Sequence, residues 1–562
     1  MKKKKVVSLV AVGAMLATTL AGCGGGGQTP SNTPASSEPA ASSEAPAASS
    51  EEAKTEEAAA SSSSEDKTIT VSTQTGTGAE AGWKAVADAY MKLHPDVNVV
   101  IDLKSSDGYD QWLNNVFATN DTTSVDICNI NVAAAAAAGK SINYADYIDN
   151  DSPYSDGTWK EQFAFDKQHI DAGSGDFSAL SLDSVQVMWL YNQDIFDEVG
   201  ITSVPTTWSE LIEDCEKIEA AGYQAIAMPG DYDSFYSGTM GWLAQIYADQ
   251  TTRSMIEVYR SHEGDYTYDP DVDAYFKLDV TDPFNDDDSY VTNNPVRAYK
   301  AVYDGTYNVQ TPGMKTVWES FAEVFPKYAG GDAMFGMKDE GAKTLFYQGK
   351  AAMWVSGGWA IVQFARDMES LAAGEEIKNN DTVIEDVKGF KLGTFNMPSM
   401  EGDGIEAKAR TIEVATGFLG CVSKTQEHDD LVVDFLMYYS SAEGMGKFVE
   451  AALADGWTPS GPSLVYGVTY PENIENAFAN LTMIGNCQKG YGQMLARGFA
   501  EIPESYRSFY SYAYDFLNGK ITSDQFLEKH EQNIMDNFET GITNAEIGYG
   551  DLENPANEPT GK

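Results

Sequence analysis

From Lys67 onward, short apolar stretches alternate with segments whose apolar residues recur at helical spacing. Residues 68–72 alternate as a strand, and the apolar positions of residues 83–91 share one face of a helix that His94-Pro95 ends. Residues 97–103 and 125–130 have the pattern of two further strands, with a second helical pattern between them. The pattern therefore predicts a strand, helix, strand, helix, strand order at the start of the folded chain.

This order is typical of an α/β protein with a parallel sheet covered by helices on both faces. Ligands of such sheets lie at the carboxyl ends of the strands. The polar residues that follow the three predicted strands are therefore candidate ligand contacts, namely Gln74, Thr75, Asp107 and Asn131.

A second informative stretch, LFYQGKAAMWVSGGWA, covers residues 345–360. The run 351–355 is too short for a helix and is followed by Gly357-Gly358, which predicts a buried strand and a turn. A helical pattern begins at Trp359, so backbone N–H groups and one indole meet at the helix start. This arrangement suits a polar ligand with a face for stacking, although Trp354 and Trp359 are also consistent with core packing.

The middle of the chain repeats the alternation of helix and strand. Thr207 and Glu210 form a capping box, which predicts a helix from there to about residue 221, and residues 225–228 predict a strand. The strand leads into a loop of mixed aromatic and polar residues at 231–236, before a helix that carries Trp242.

The first 66 residues have no globular pattern. Four lysines, an apolar run to Leu20 and small residues predict a secretory signal peptide over residues 1–22, which is too short to span a membrane. The Leu-Ala-Gly-Cys sequence ending at Cys23 resembles the lipobox of bacterial lipoproteins and predicts cleavage before Cys23 and a lipid on its thiol. Residues 23–66 are then a lipidated cysteine followed by a disordered tether rich in Ser, Ala and Glu, with a span of roughly 35 Å.

The charge of the chain limits its partners. With 85 acidic and 37 basic residues the formal net charge is −48, which disfavours nucleic acid and anionic lipid surfaces. A neutral ligand meets no such repulsion, and solubility outside the cell accounts for most of the charge.

No enzyme motif is found. The five histidines are scattered without metal-ligand spacing, and neither a GxSxG elbow nor a phosphate loop occurs. The sequence therefore predicts a protein that is not an enzyme and has no cofactor or metal.

No CxxC pattern is formed by the four remaining cysteines, Cys128, Cys215, Cys421 and Cys487, so whether they form disulfides stays open.

Several motifs occur in an order that resembles one family. They are YNQDIF at 191–196, PTTWSEL at 205–211, AGYQAIAM at 221–228, FYQGKAAMWVSGGWA at 346–360 and TGFLGCVSK at 416–424. Behind a lipobox, this order resembles the extracellular solute-binding proteins of bacterial ABC importers, specifically the cluster that takes up sugars and oligosaccharides. The resemblance covers most of the chain from Lys67 to about Phe538.

The resemblance implies a two-lobe, periplasmic-binding-protein-like α/β fold with three crossings between the lobes and the ligand held in the cleft. It implies crossings near residues 181–185, 396–411 and 457–462. The expected domains are a first lobe of residues 67–180 plus 412–456, a second lobe of residues 184–395 plus 463–545, and a flexible tail of residues 546–562.

Residues 251–339 depart from the family's compact members and are rich in Asp and Tyr. We expect an acidic, solvated insertion on the outside of the second lobe. Asp269, Asp271 and Asp273 have the start of a calcium-loop spacing, but Ala274 and Val280 stand where that loop has Gly and Glu, which argues against calcium.

A sugar site needs aromatic faces with carboxylates and amides beside them. Trp359 matches the family's Gly-x-Trp position, where the indole commonly stacks on sugar, and is the first candidate. The other expected ligand contacts are Asp231, Tyr236, Trp242, Tyr506, Asp183, Gln74, Asn131 and Trp457. For each aromatic except Trp359, core packing is an equally good interpretation.

The leading hypothesis is a lipid-anchored receptor that captures a carbohydrate by lobe closure and delivers it to ABC permease subunits. We expect a monomer on the extracellular face of the cell membrane, held there through its N-terminal lipid only and without nucleic acid partners. A lipid-anchored glycoside hydrolase, a non-catalytic adhesin or scaffold, and a binding protein for a non-sugar solute are the alternatives. The sequence does not identify the sugar, its length or its linkage.

Overall fold

The computed structural model of the protein describes residues 67–75, 78–105, 109–119, 124–129, 140–168, 170, 176–236, 238–287, 290–379, 382–478, 481–488, 492–499 and 502–562. The predicted signal peptide, Cys23, the predicted tether, Asp107 and Asn131 lie outside these residues.

Strands and helices alternate along most of the described chain. The strands are β1 (Thr68–Val71), β2 (Asn98–Ile101), β3 (Ile127–Asn129), β4 (Asp183–Asn192), β5 (Gln224–Ala227), β6 (Ala351–Gly357), β7 (Lys378–Asn379), β8 (Thr382–Val383), β9 (Leu392–Phe395), β10 (Glu413–Thr416) and β11 (Leu419–Cys421). The helices are α1 (Ala79–Leu93), α2 (Tyr109–Thr119), α3 (Gln193–Val199), α4 (Trp208–Ala220), α5 (Tyr232–Tyr236), α6 (Thr239–Asp249), α7 (Ile256–Tyr259), α8 (Pro295–Tyr303), α9 (Pro312–Val324), α10 (Asp339–Tyr347), α11 (Trp359–Ala372), α12 (Gln426–Tyr439), α13 (Ala442–Ala454), α14 (Glu472–Phe478), α15 (Gly492–Arg497), α16 (Pro503–Leu517), α17 (Ser523–Asp536), α18 (Phe538–Asn544) and α19 (Tyr549–Leu552).

The first lobe is built on a sheet with the strand order β11-β3-β1-β2. β1 pairs in parallel with β2 and β3, as the opening pattern predicts, while β11 returns antiparallel beside β3. The apolar face of α1, including Trp83 and Tyr90, packs on α13 because Gly82 has no side chain to overlap the ring of Phe448. One apolar core therefore joins the N-terminal strands to helices that lie more than 300 residues later in the chain.

The second lobe is built on a sheet with the order β10-β4-β6-β5, in which β9 also pairs with β4. β4 is antiparallel to β6, β9 and β10, and β5 is parallel to β6. β4 carries Val187 and Trp189, which are fully buried in the larger of the apolar cores. The two sheets and their cores confirm the predicted two-lobe α/β fold.

Two antiparallel chain segments connect the lobes side by side. Leu180 pairs with Leu419 in the first lobe, and Asp183 pairs with Thr416 at the start of the second sheet. Gly417 stands between these pairs with φ +70°, a conformation that glycine adopts without strain. The first crossing therefore lies where the sequence predicts it, near residues 181–185.

The second and third crossings lie elsewhere than predicted. The second was expected at residues 396–411, but β10 still belongs to the second sheet, so this crossing is at Gly417-Phe418. The third was expected at residues 457–462, yet Val465, Ile474 and Phe478 lie in the first core. The chain returns to the second lobe only around residues 481–487, where Cys487 N donates to Thr411 O at 2.7 Å.

The expected solvated insertion at residues 251–339 is in large part core. α9 begins after the N-cap Thr311 and buries Val317, Trp318 and Phe321 against the second lobe. α8 adds Val296 and Val302 to the same core. Apolar residues at helical spacing outweigh the acidic composition in this half of the segment, which corrects the prediction.

The expected flexible tail, residues 546–562, is packed in this structure. Asp551 is buried and accepts hydrogen bonds from the N–H and hydroxyl groups of Thr560. Pro555 O accepts from Asn294 Nδ2 at 2.8 Å, and Ala556 O accepts from Tyr266 N at 2.9 Å. The tail is therefore attached to residues 266–294, and the prediction of flexibility is wrong here.

None of the helices in the described ranges is both long and apolar enough to cross a membrane.

Candidate functional site

The turn between β6 and α11 sets the position of Trp359. β6 is buried along its whole length and ends at Gly357, and Gly358 N donates to Gln186 O at 2.9 Å, next to the first crossing. A Cβ at Gly357 would overlap the indole of Trp359, and one at Gly358 would overlap the backbone oxygen of Ser460. Both glycines are thus required by close approach, and the indole lies over the end of the strand beside the hinge.

The two tryptophans of this stretch have different surroundings. Trp354 is buried among the apolar side chains of β6 and its neighbours, as the strand pattern predicts. Trp359 is half-buried and meets the ring of Trp242 edge-on, with ring centroids 6.0 Å apart and an interplanar angle of 77°. Trp242 Nε1 is buried and has no hydrogen-bond partner among the described residues.

A second group of aromatic rings stands beside this pair. Tyr236, at the end of α5, is 37% exposed and meets Tyr506 of α16 edge-on with centroids 4.4 Å apart. Tyr232 contacts the same ring from another side, at 5.3 Å. Tyr506 is fully buried, its hydroxyl has no partner within the described chain, and burial raises its pKa far above the ordinary value.

Arg497 joins the two aromatic groups. Its Nη1 donates to Tyr236 O at 2.6 Å and its Nη2 donates to Gln245 Oε1 at 3.3 Å. Gly241, on the same helix as Trp242, lies against Arg497 and the backbone oxygens of residues 235 and 236. The sequence interpretation missed Arg497, although a lone arginine in the apolar segment MLARGF is a usable signal for a buried cation.

Asp231 has a local structural role. Its Oδ1 accepts from the backbone N–H of Ser234 at 3.2 Å and from the Ser234 hydroxyl, which fixes the start of α5. The carboxylate thereby holds the loop that carries Tyr236. Its expected contact with a ligand stays a prediction.

Asp183 lies where the chain segments between the lobes meet. It pairs with Thr416, forms an isolated bridge with Ser463, and its Oδ2 would lie 3.4 Å from a Cβ at Gly417. Burial raises the pKa of the Asp183 carboxyl to about 6. A carboxyl that is partly protonated near neutral pH can both donate and accept hydrogen bonds at the hinge.

The first lobe contributes Gln74 and Trp457. Gln74 follows β1, and its N–H donates to Asn129 Oδ1 at 2.8 Å, which places the ends of β1 and β3 together as predicted for adjacent parallel strands. Trp457 is half-buried and meets Phe448 edge-on with centroids 5.4 Å apart. A Cβ at Gly78 would overlap the backbone N and the Cβ of Trp457, so the chain at Trp457 lies directly against the start of α1.

The predicted site residues therefore form three sets. Trp359, Trp242, Tyr236, Tyr506 and Asp231 are brought together on the second lobe, Asp183 lies at the hinge, and Gln74 and Trp457 lie on the first lobe. Candidate ligand contacts therefore lie on both lobes and at the hinge.

The acidic calcium-like segment has hydrogen bonds within the protein instead. Asp273 is buried and accepts from the N–H and hydroxyl of Thr292, while Asp269 accepts from the N–H of Asp271. Within the residues that the structure describes, no group of three or more His, Cys, Asp or Glu side chains could hold a metal ion.

The four described cysteines are buried and none is in a disulfide.

Comparison with known proteins agrees with this geometry. The sequence profile of the bacterial extracellular solute-binding protein family matches residues 75–446, well over half of the chain. A search of curated proteins found no match.

Solved structures with the same fold share little sequence with this chain. The cyclic α-maltosyl-1,6-maltose binding protein from Arthrobacter globiformis is 15% identical with a TM-score of 0.53, over 84% of this chain and 99% of that one. The apo form of RafE from Streptococcus pneumoniae is 16% identical with a TM-score of 0.53, over 83% of this chain and 97% of that one. A family 1 extracellular solute-binding protein from Bifidobacterium longum subsp. infantis is 16% identical with a TM-score of 0.50, over 84% of this chain and 99% of that one.

Two α/β lobes on separate sheets, with candidate contacts on both and at the hinge, define a two-lobe receptor for a small solute. The chain belongs to the bacterial extracellular solute-binding protein family.

Proposed function

We propose that this protein is the substrate-binding component of an ABC importer and captures a neutral sugar or oligosaccharide between its lobes. The observation that carries the proposal is the second-lobe site, in which the half-buried indole of Trp359 meets the ring of Trp242, whose buried Nε1 has no hydrogen-bond partner among the described residues. The neighbouring aromatic group holds a second such donor, the hydroxyl of Tyr506. Sugar rings combine apolar C–H faces with hydroxyl groups at their edges. Ring faces for stacking and donors for hydroxyl oxygens match both features.

The positions of the contacts on both lobes support a closure mechanism. A ligand that touches Trp359 on one lobe and Gln74 or Trp457 on the other binds the closed state better than the open state. Its binding therefore shifts the balance toward closure by the difference in affinity between the two states. The permease would then recognise the closed, loaded form.

The net charge of −48 supports a neutral ligand over a phosphorylated or otherwise anionic one. Arg497 does not alter this preference, because its guanidinium is fully buried and donates to Tyr236 O and Gln245 Oε1. The fold shared with a protein named for cyclic α-maltosyl-1,6-maltose also supports the choice of carbohydrate.

A thermal-shift screen of the mature chain against mono- and oligosaccharides tests the proposal. We expect at least one neutral saccharide to raise the unfolding temperature without being converted, as judged by chromatography of the ligand afterwards. Release of shorter sugars would support a hydrolase instead. Stabilisation by amino acids or peptides, and by no saccharide, would show that the ligand is a solute other than a sugar.

We also propose that Cys23 carries a lipid that holds the protein at the extracellular face of the membrane, with residues 28–66 as a tether. Expression of the full precursor with and without Cys23→Ala, followed by membrane fractionation and labelling with a fatty-acid analogue, tests this. The unaltered protein should be labelled and membrane-bound, and the variant should be neither. Equal labelling of the two proteins would overturn the assignment.

A further inference from the structure

A surface groove on the second lobe is lined by residues of the segment 271–277 together with Asn285 and Tyr290, remote in the chain from Trp359. The groove has a volume of about 310 Å³ and is lined by Asp271, Val272, Tyr275, Phe276, Lys277, Asn285 and Tyr290. This volume is at the lower end of the range for small-molecule sites, about 300–1,000 Å³. Capture of a ligand between the lobes does not involve this groove.

Two tyrosines of the groove are unusually accessible. Tyr275 is 82% exposed and Tyr290 is 57% exposed, whereas most aromatic side chains of the second lobe are buried in its core. Single exposed rings are common on protein surfaces, whereas exposed rings grouped in one concave site with polar residues beside them are typical of ligand-binding surfaces. Two such rings on one groove therefore indicate a binding surface.

The turn that carries Tyr275 is fixed by its neighbours. Asp273 is buried and accepts from Thr292 N at 2.7 Å and from Asp269 N at 2.9 Å. Phe276, next to Tyr275, packs against the buried cluster of Tyr259 and Val291 and lies under the Arg260 guanidinium at 5.5 Å. The exposed ring thus projects from an anchored turn, so the backbone that carries it loses little conformational freedom when a ligand stacks on the ring.

The polar residues of the groove are mixed in charge. Asp271 and Lys277 supply an acceptor and a donor, and Asn285, whose Oδ1 accepts from Asp279 N at 2.7 Å, supplies an amide. The strongly negative chain repels polyanions such as nucleic acids and acidic glycans. A protein partner usually needs about 800 Å² of surface on each side, which this group of seven residues does not offer.

We propose that this groove is a second carbohydrate site, separate from the cleft, that binds a chain of a neutral polysaccharide. The rings of Tyr275 and Tyr290 stack on the C–H faces of sugar residues, and Asp271, Lys277 and Asn285 contact their hydroxyl groups. Two ring faces suit neighbouring residues of a polymer better than one monosaccharide. The site would hold the protein on the polymer, and this binding does not rest on the function proposed for the cleft.

Affinity electrophoresis of the mature chain tests this inference, with native gels that contain amylopectin, arabinoxylan or mixed-linkage β-glucan. We expect at least one polymer to retard the protein, and the double variant Tyr275→Ala/Tyr290→Ala to lower the retardation at least threefold. Tyr275→Phe/Tyr290→Phe keeps the rings and should retain most of it. Tyr466→Ala removes a tyrosine that is 58% exposed in the segment packed on the first lobe and is the matched control, with no expected effect.

The variant Trp359→Ala distinguishes polymer binding at the groove from sugar binding in the cleft. It should leave the retardation by the polymers unchanged, even if it weakens the binding of small sugars. Unaltered migration in all three polymers would overturn the proposal, and so would equal retardation of the Tyr275→Ala/Tyr290→Ala variant. Loss of retardation in Trp359→Ala alone would assign polymer binding to the cleft. Binding of a proline-rich peptide to the groove in place of the polymers would also contradict the carbohydrate assignment.

Discussion

At the scale of single residues, the placement of Trp359 depends on its two preceding glycines. The sequence indicated a strand, a turn and an exposed indole, and the close approaches at Gly357 and Gly358 explain why no other residue type suits those positions. The different environments of Trp354 and Trp359 also follow from the local pattern, since one lies within a strand and the other begins a helix. Local patterns of this kind are readable without a structure.

Arg497 and Asp183 have properties that sequence alone does not determine. The partners of Arg497, Tyr236 and Gln245, are more than 250 residues distant in the chain. The raised pKa of Asp183 results from burial at the junction of segments that are far apart in sequence. Such contacts depend on tertiary packing, which no local pattern records.

Asp183 predicts a pH dependence of stability. Its folded-state pKa is raised to about 6, so the folded protein holds a proton that the unfolded chain releases between about pH 4 and 6. The stability from this protonated carboxyl is present below about pH 4 and is lost as the pH rises through 6. The loss amounts to up to about 3 kcal/mol.

We therefore expect Asp183→Asn to gain stability relative to the unaltered protein as the pH rises from 4 to 7. Urea unfolding of both proteins at the two pH values measures the difference. Asp176→Asn, a substitution at an exposed carboxylate of the first lobe, is the control and should show no comparable change. A difference that is the same at both pH values would show that Asp183 is not the titrating group.

At the scale of elements, helix starts were well predicted. Thr207 caps α4 through the predicted capping box, with Glu210 Oε2 accepting from Thr207 N at 3.1 Å. The crossings were predicted less well. Residues 463–478 were assigned to the second lobe, whereas Val465 and Phe478 are buried in the first, because their apolar side chains are compatible with either core.

Gly417 offers a prediction about the hinge. Gly417→Ala places a Cβ at φ +70°, which costs about 1–2 kcal/mol for a residue other than glycine. The new methyl group would also contact Asp183 Oδ2 between the two crossing strands. We expect a matching loss of stability in urea unfolding together with a several-fold change in sugar affinity.

Gly374→Ala is the matched control, because Gly374 has φ +84° and a Cβ there would meet nothing within 4 Å. It should lose similar stability without a change in affinity. If both variants bind sugar equally well, the backbone conformation at Gly417 does not influence closure.

At the scale of the whole molecule, a buried ionic cluster ties residues 249–286 to the crossing segments. Arg410 is 1% exposed, and its Nε donates to Asp249 Oδ2 at 2.9 Å while its Nη1 contacts Asp286. The adjacent Thr411 N donates to Gly485 O at 3.0 Å in the third crossing. The segment expected to be a solvated insertion is thus held to the hinge region, which explains why its acidic residues do not make it a separate appendage.

We expect Arg410→Met to lower the free energy of unfolding by about 3–5 kcal/mol, because it removes the ion-pair partner of the buried Asp249 and leaves Asp286 with Arg253 alone, at 3.6 Å. Lys300→Met, which removes the exposed ion pair with Asp304, is the control and should change stability by no more than about 0.5 kcal/mol. Chemical denaturation measures both. A loss near the control value for Arg410→Met would mean that the cluster does not hold this region together.

The proposed function depends above all on the binding of a neutral sugar between the lobes, against the indole of Trp359. Calorimetric titration with the best saccharide from the thermal-shift screen tests it most directly, on the unaltered protein, Trp359→Ala and the control Tyr303→Ala, whose exposed ring lies near the packed C-terminal tail. We predict that Trp359→Ala weakens binding at least tenfold, in line with the loss of a stacking contact of about 1.4 kcal/mol or more. The control should bind as the unaltered protein does. Equal affinity of all three proteins would contradict the account.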